Sequence, residues 1–207
     1  MVTSNHIHLL VEDSGGEVIQ RSIQLIAGIT ARDYNRRKKR KGAFWEDRYH
    51  ATAVEVDSHL IRCLNYIDMN MVRAGIVDDP REWAWCGYHE IQNPPRRYAI
   101  IDRGRLMSLV GNLDSDELIA AQRGWVEDAL SVGEFSRESM WTETIAVGSR
   151  RFVEGVGEKL GVRAAGREVL GAKGSYELRE SEAAYSCNFD TENGPLSLEN
   201  AYFWDDY

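Results

Sequence analysis

The sequence predicts an α+β fold, a short antiparallel-type sheet with helices packed on one face, and three observations carry that expectation. Residues 2–11 form an apolar run that holds His6 and His8. Strand side chains alternate between faces, so both imidazoles fall on one side while Ile7, Leu9 and Val11 fall on the other. Residues 57–75 have helical periodicity instead: Leu60, Cys63, Leu64, Ile67 and Met71 cluster on one side, and Arg62, Tyr66, Asn70 and Arg73 form a polar stripe opposite. Finally, strand and helix patterns alternate along the first ninety residues, as a layered α+β unit requires.

Taken in order, the elements are a strand over 2–11, a helix over 17–35, a basic loop, a strand over 48–56 and a helix over 58–73. A tryptophan-rich segment follows at 81–89. Asp57 or Ser58 serves as N-cap of the second helix and Gly75 as its stop. Trp83, Trp85 and Tyr88 read as a core anchor, since large aromatics mainly supply buried area. The Asn93-Pro94-Pro95-Arg96-Arg97 break then marks a boundary between a unit over 1–92 and a helical, acidic extension over 93–207. Within the extension, helical periodicity covers about 103–110, 115–131 and 148–160, with Gly161 as a stop.

Two patterns point to chemistry. Histidines at strand spacing, with Cα atoms about 6 to 7 Å apart, can hold a divalent metal from one side and leave coordination positions open. The alternative is a pair of half-exposed strand histidines. On the helical stripe, Tyr66 is flanked by Arg62 and Arg73 and lies one turn before Asn70. A phenol beside guanidinium groups or a metal ion ionises more readily and becomes a nucleophile suited to phosphorus. The alternative there is an ordinary solvated face.

Four segments carry a resemblance to a known family. They are Asn5-His6-Ile7-His8-Leu9-Leu10; Gly42-Ala43-Phe44-Trp45-Glu46-Asp47-Arg48-Tyr49; Tyr66-Ile67-Asp68-Met69-Asn70-Met71-Val72-Arg73-Ala74-Gly75; and Trp83-Ala84-Trp85-Cys86-Gly87-Tyr88. In order and spacing this resembles the REP-associated tyrosine transposases of bacteria, within the HUH single-tyrosine transposases. The resemblance implies a ferredoxin-like catalytic domain that cuts and rejoins single-stranded or hairpin DNA through a 5′-phosphotyrosine link. By position it implies Tyr66 as nucleophile, His6 and His8 as metal ligands and Asn70 as a third, with Mg²⁺ or Mn²⁺ as cofactor. Two imidazoles and an amide favour Mn²⁺ over Mg²⁺. Met71 stands where most relatives have proline. Relatives also carry a strand and a helix ahead of the histidine strand, so the resemblance implies a catalytic domain short of that pair. The segments over 145–153 and 174–180 resemble the C-terminal region of longer members.

Charge is unevenly distributed. The net charge is −8, yet residues 1–90 hold 12 Lys and Arg against 13 Asp and Glu, leaving 13 against 20 for the remainder. Arg36, Arg37, Lys38, Lys39, Arg40 and Lys41 form an unbroken cationic run close to Trp45 and Arg48. Cations that release counterions from phosphate, beside rings that stack on unpaired bases, make a single-strand footprint, and Arg62 and Arg73 extend it. No segment approaches the ~20 apolar residues of a membrane span. Cys63, Cys86 and Cys187 are too few and too far apart for a disulfide framework, and a cytoplasmic location is expected. After Arg179 there is no further Lys or Arg, and the acidic, aromatic end could fold back over a basic site. The sequence therefore predicts a metal-dependent DNA transposase, working as a monomer or a homodimer. Its alternatives are a catalytically silent hairpin-binding protein or a decayed transposase fragment.

Overall fold

The computed structural model describes residues 1–133, 135–172 and 174–181; the acidic, aromatic end lies outside the described residues. The fold is α+β. Seven helices are described: α1 (Val18–Lys38), α2 (Ser58–Asp68), α3 (Asn70–Arg73), α4 (Gly87–Gln92), α5 (Arg103–Leu109), α6 (Ser115–Val132) and α7 (Arg150–Leu160). Four strands, β1 (Ala53–Val54), β2 (Ala146–Gly148), β3 (Arg167–Ala172) and β4 (Ser175–Glu180), form one sheet of order β1-β2-β4-β3. Among the described residues no helix is long and apolar enough to cross a membrane.

The sheet is mixed rather than antiparallel. β1 runs parallel to β2, with Ala53 opposite Ala146 and Val54 opposite Val147, whereas β4 pairs antiparallel with both β2 and β3. Parallel pairing needs a long crossover, and five helices lie between β1 and β2. Three of the four strands thus come from the stretch expected to be helical. There Tyr176 and Leu178 alternate with Glu177 and Arg179, a period of two that marks β4. Gly148, at the end of β2, faces Phe152 and Glu55 so closely that a Cβ would sit 2.6 and 2.7 Å from them. Only glycine fits this junction between sheet and α7.

The histidine run also differs from expectation. Residues 1–8 form a tight reversal with one antiparallel bridge, Val2 to Ile7, not a continuous strand. Thr3 explains the reversal: its N–H donates to the His6 carbonyl at 3.0 Å, and its hydroxyl accepts from the His6 N–H at 3.1 Å. A Thr-Ser-Asn triplet satisfies backbone groups locally and competes with a sheet ladder.

The second helix is broken at Met69 into α2 and α3. Gly75, at φ 65°, turns the chain away, and its N–H donates to Val72 and that of Ile76 to Met71. Packing passes across the Asn93–Arg97 break. Leu60, Leu64 and Ile91 bury with Val110 and Leu118, while Met69, Val72 and Tyr88 bury with Val126. Tyr88 is buried as expected, but Trp85 is 69% exposed and is not a core anchor. What residue 85 contributes is its backbone carbonyl, which accepts the Val2 N–H at 2.9 Å; the Trp83 indole N–H donates to the Val2 carbonyl at 3.0 Å. The tryptophan segment therefore holds down the reversal that carries the histidines.

Candidate active site

Asn70, the first residue of α3, lies between the two histidines. Its Oδ1 is 3.3 Å from His6 Nε2, and its Nδ2 donates to His8 Nε2 at 3.0 Å. The imidazole rings are 4.9 Å apart, edge to face. The break at Met69 starts α3 at this amide.

Neighbours in the reversal orient the His6 ring: Asn5 Oδ1 lies 2.8 Å and Thr3 Oγ1 3.1 Å from its Nδ1, which turns Nε2 toward Asn70. His8 is held neutral: burial first, then the charges of His6, the chain terminus and Arg73, lower its pKa to about 4. The Nε2 atoms of both histidines thus face the Asn70 amide. His6 Nε2 and Asn70 Oδ1, 3.3 Å apart, stand near the spacing of neighbouring corners of an octahedron with metal–ligand bonds of about 2.1 Å, while His8 Nε2 accepts from the Asn70 Nδ2–H. The donor set fits a divalent metal. Among the described residues no group of three or more His, Cys, Asp or Glu could hold one.

Tyr66, one turn before Asn70, packs its ring 6.2 Å from His8. The expected polar stripe is not an open face here. Tyr66 is only 6% exposed and belongs to a buried cluster with Cys63, Ile67, Met140, Trp141 and Val147. The Trp141 ring is 6.0 Å away. Arg73 spans the other side: its guanidinium carbon sits 3.6 Å from the ring centre, and its Nη2 donates to the Tyr66 carbonyl at 2.7 Å. Burial lowers the Arg73 pKa, partly offset by Tyr66 and Glu138.

The other basic residues lie elsewhere. Arg36 pairs with Asp33 at 3.4 Å, Arg37 and Arg40 lie 5.8 Å from the Tyr34 ring, and Arg40 also donates to the Ala43 carbonyl. Lys38, Lys39, Lys41 and Arg48 are exposed. Trp45 is half-buried and ties this region to α1 through its indole N–H, which donates to the Ala27 carbonyl at 3.0 Å. Among the described residues no hydrogen bond or ion pair joins 36–41 to His6, His8 or Tyr66. Arg62 is engaged inside the protein, 2.8 Å from the Ser175 hydroxyl and 3.8 Å from Glu138.

Sequence reasoning missed Asn5, which the resemblance placed beside His6 without a role, and Trp141, whose seventy-five-residue distance from Tyr66 leaves no local signal.

The residues brought together here are those of a recognised sequence family, for residues 1–70 match the family model described as "Transposase IS200 like". This segment is similar to IS200-like transposases. No curated protein and no solved structure matches the chain. The match ends at Asn70, so it takes in His6, His8, Tyr66 and Asn70, while Arg73 and Trp141 lie beyond it.

Proposed function

We propose that the protein is a metal-dependent nuclease and strand transferase for single-stranded or hairpin DNA, with Tyr66 as nucleophile. The observation that carries this reading is the convergence of His6, His8 and Asn70 beside Tyr66 and Arg73, built from residues far apart in sequence.

In the proposed reaction the Tyr66 phenol gives its proton to solvent and its oxygen bonds to phosphorus. The P–O3′ bond breaks, the 3′-oxygen takes a proton from solvent and departs as a hydroxyl, and a 5′-phosphotyrosine remains. Attack by another 3′-hydroxyl reverses these bond changes and rejoins DNA with no high-energy cofactor, because the phosphodiester bond order is conserved. Arg73 stabilises the phenolate and the developing phosphate charge from a half-buried position where the local dielectric is low. Asn5 orients the His6 ring, and Trp141 packs beside the tyrosine ring. His6, His8 and Asn70 would hold Mn²⁺ or Mg²⁺, which when bound draws charge from the phosphate oxygens. Exposed Lys38, Lys39, Lys41 and Arg48 supply backbone attraction along the strand.

A second reading is a DNA-binding protein that does not cut, and the 6% exposure of Tyr66 favours it. Incubation with a labelled single-stranded hairpin and Mn²⁺ or Mg²⁺ separates the two. A covalent adduct on a denaturing gel, absent in Tyr66→Phe and His6→Ala and under chelation, supports the nuclease. Binding without an adduct supports the second reading.

A further inference from the structure

A cleft of about 480 Å³ opens on the far side of the segment that covers Tyr66. Thr142 and Glu143 line it, and the preceding Met140 and Trp141 pack against Tyr66. The opposite wall is Tyr49 and His50, just before β1. This wall is anchored: Thr52 donates its hydroxyl to the Thr144 carbonyl at 2.7 Å, and His50 Nε2 donates to the same carbonyl at 2.8 Å. Cleft and candidate nucleophile therefore share one segment, residues 139–145.

The lining has a definite chemistry. Ile145 and Leu160 are apolar, and the Tyr49 side chain is left 47% exposed. Arg167 is spent on structure, with one nitrogen on the Arg163 carbonyl at 2.6 Å and another 3.2 Å from Glu180. Glu143 is neutralised by Arg137 at 3.1 Å and Arg179 at 3.5 Å. Arg163 is exposed and makes no ion pair among the described residues. An exposed ring, an apolar floor and one uncommitted guanidinium at the rim complement a nucleobase with its phosphate. A bare anion would leave the apolar surface unused, and an apolar ligand would leave Arg163 idle. The volume accommodates one nucleotide.

We infer that this cleft binds one unpaired nucleotide of a DNA strand, its base stacked on Tyr49 and its phosphate on Arg163. The inference rests on the single-strand reading above and adds a subsite outside the matched residues 1–70 in all but the Tyr49–Ala51 wall. A strand held there reaches Tyr66 by passing over residues 139–145.

Fluorescence anisotropy with a fluorescein-labelled oligothymidylate tests it, alongside the duplex form. Tyr49→Ala and Arg163→Ala are each expected to weaken single-strand binding by roughly 5- to 10-fold, and Tyr49→Phe to stay within about twofold, because stacking needs the ring and not the hydroxyl. Arg163→Ala is also expected to lower the slope of log affinity against log salt by about 1, with Arg163→Lys restoring it. Duplex binding should not change. Both alanine variants binding the single strand as tightly as the unaltered protein would overturn the cleft and leave the Tyr66 reading standing. An unaltered protein that binds no single strand overturns both. Circular dichroism of each variant separates lost binding from lost fold.

Discussion

Arg73 offers the sharpest test of the chemistry. Its guanidinium carbon is 3.6 Å from the centre of the Tyr66 ring, which puts a phenolate charge on the order of 4 to 5 Å away. At an effective dielectric of about 20 the attraction is roughly 3 to 4 kcal/mol. Arg73 is only half-buried, and solvent screening reduces that to about 2 kcal/mol. Arg73→Met keeps the aliphatic stem and removes the charge, so adduct formation should slow by roughly 30-fold. Arg73→Lys keeps the charge without the planar fork and should fall between the two. The assay is the single-turnover rate of protein–DNA adduct formation at saturating strand, which removes any contribution from binding. Adduct formation by Arg73→Met at the unaltered rate, or by Arg73→Lys as slowly as by Arg73→Met, would refute the electrostatic role.

Other expectations follow from the same packing. His8 should titrate near pH 4 by NMR. Its folded pKa lies below the unfolded value of 6.5, so its contribution to stability is full above pH 6.5 and declines as pH falls toward 4, by about 1 to 2 kcal/mol after allowing for its partial exposure. Asp68 behaves in the opposite sense: burial raises its pKa to about 6, despite a 2.8 Å hydrogen bond from Gln122. Its contribution is therefore full below pH 3.8 and is lost as pH rises through 6. The stability of Asp68→Asn relative to the unaltered protein should climb by about 2 to 3 kcal/mol between pH 4 and 7 in urea titrations. Leu118, fully buried where α6 meets α2, should cost about 2 to 5 kcal/mol on replacement by alanine, read as a lower denaturation midpoint. Isothermal titration should show Mn²⁺ binding lost in His8→Ala and weakened in Asn5→Ala, since Asn5 orients the His6 ring.

Much of the site was legible because it is written in short-range patterns. Tyr66 and Asn70 are one helical turn apart, and the histidine spacing survives the loss of the expected strand because the reversal at Thr3 still leaves both rings beside Asn70. Helices α5, α6 and α7 follow their apolar periodicity within one or two residues of the expected ends, and Gly75 and Gly161 stop their helices where their lack of Cβ allows. The reversal that replaces the expected strand over 2–11 was not legible, because the apolar alternation says nothing of Thr3-Ser4-Asn5 forming local hydrogen bonds first. The break at Met69 arises although Met71 stands in the place of the family's proline, so the break does not depend on that ring. Nor could the sequence show that the polar stripe is roofed: Trp141 and Val147 reach Tyr66 through the pairing of β1 with β2, a contact between residues some ninety positions apart.

That long-range pairing also orders the site in time. On a ribosome, His6, His8 and Tyr66 emerge long before Ala146 and Val147, and a parallel pairing closed by a crossover of this length forms late. Until β2 docks, the tyrosine ring lacks the Val147 part of its cover, although Leu60 and Leu64 of α2 can already pack on Ile91 and Leu118. The nascent chain thus holds its candidate site residues while part of their cover is still being made. A lesion in β2, far from any reacting atom, would act as a folding defect of the site and not of the sheet alone.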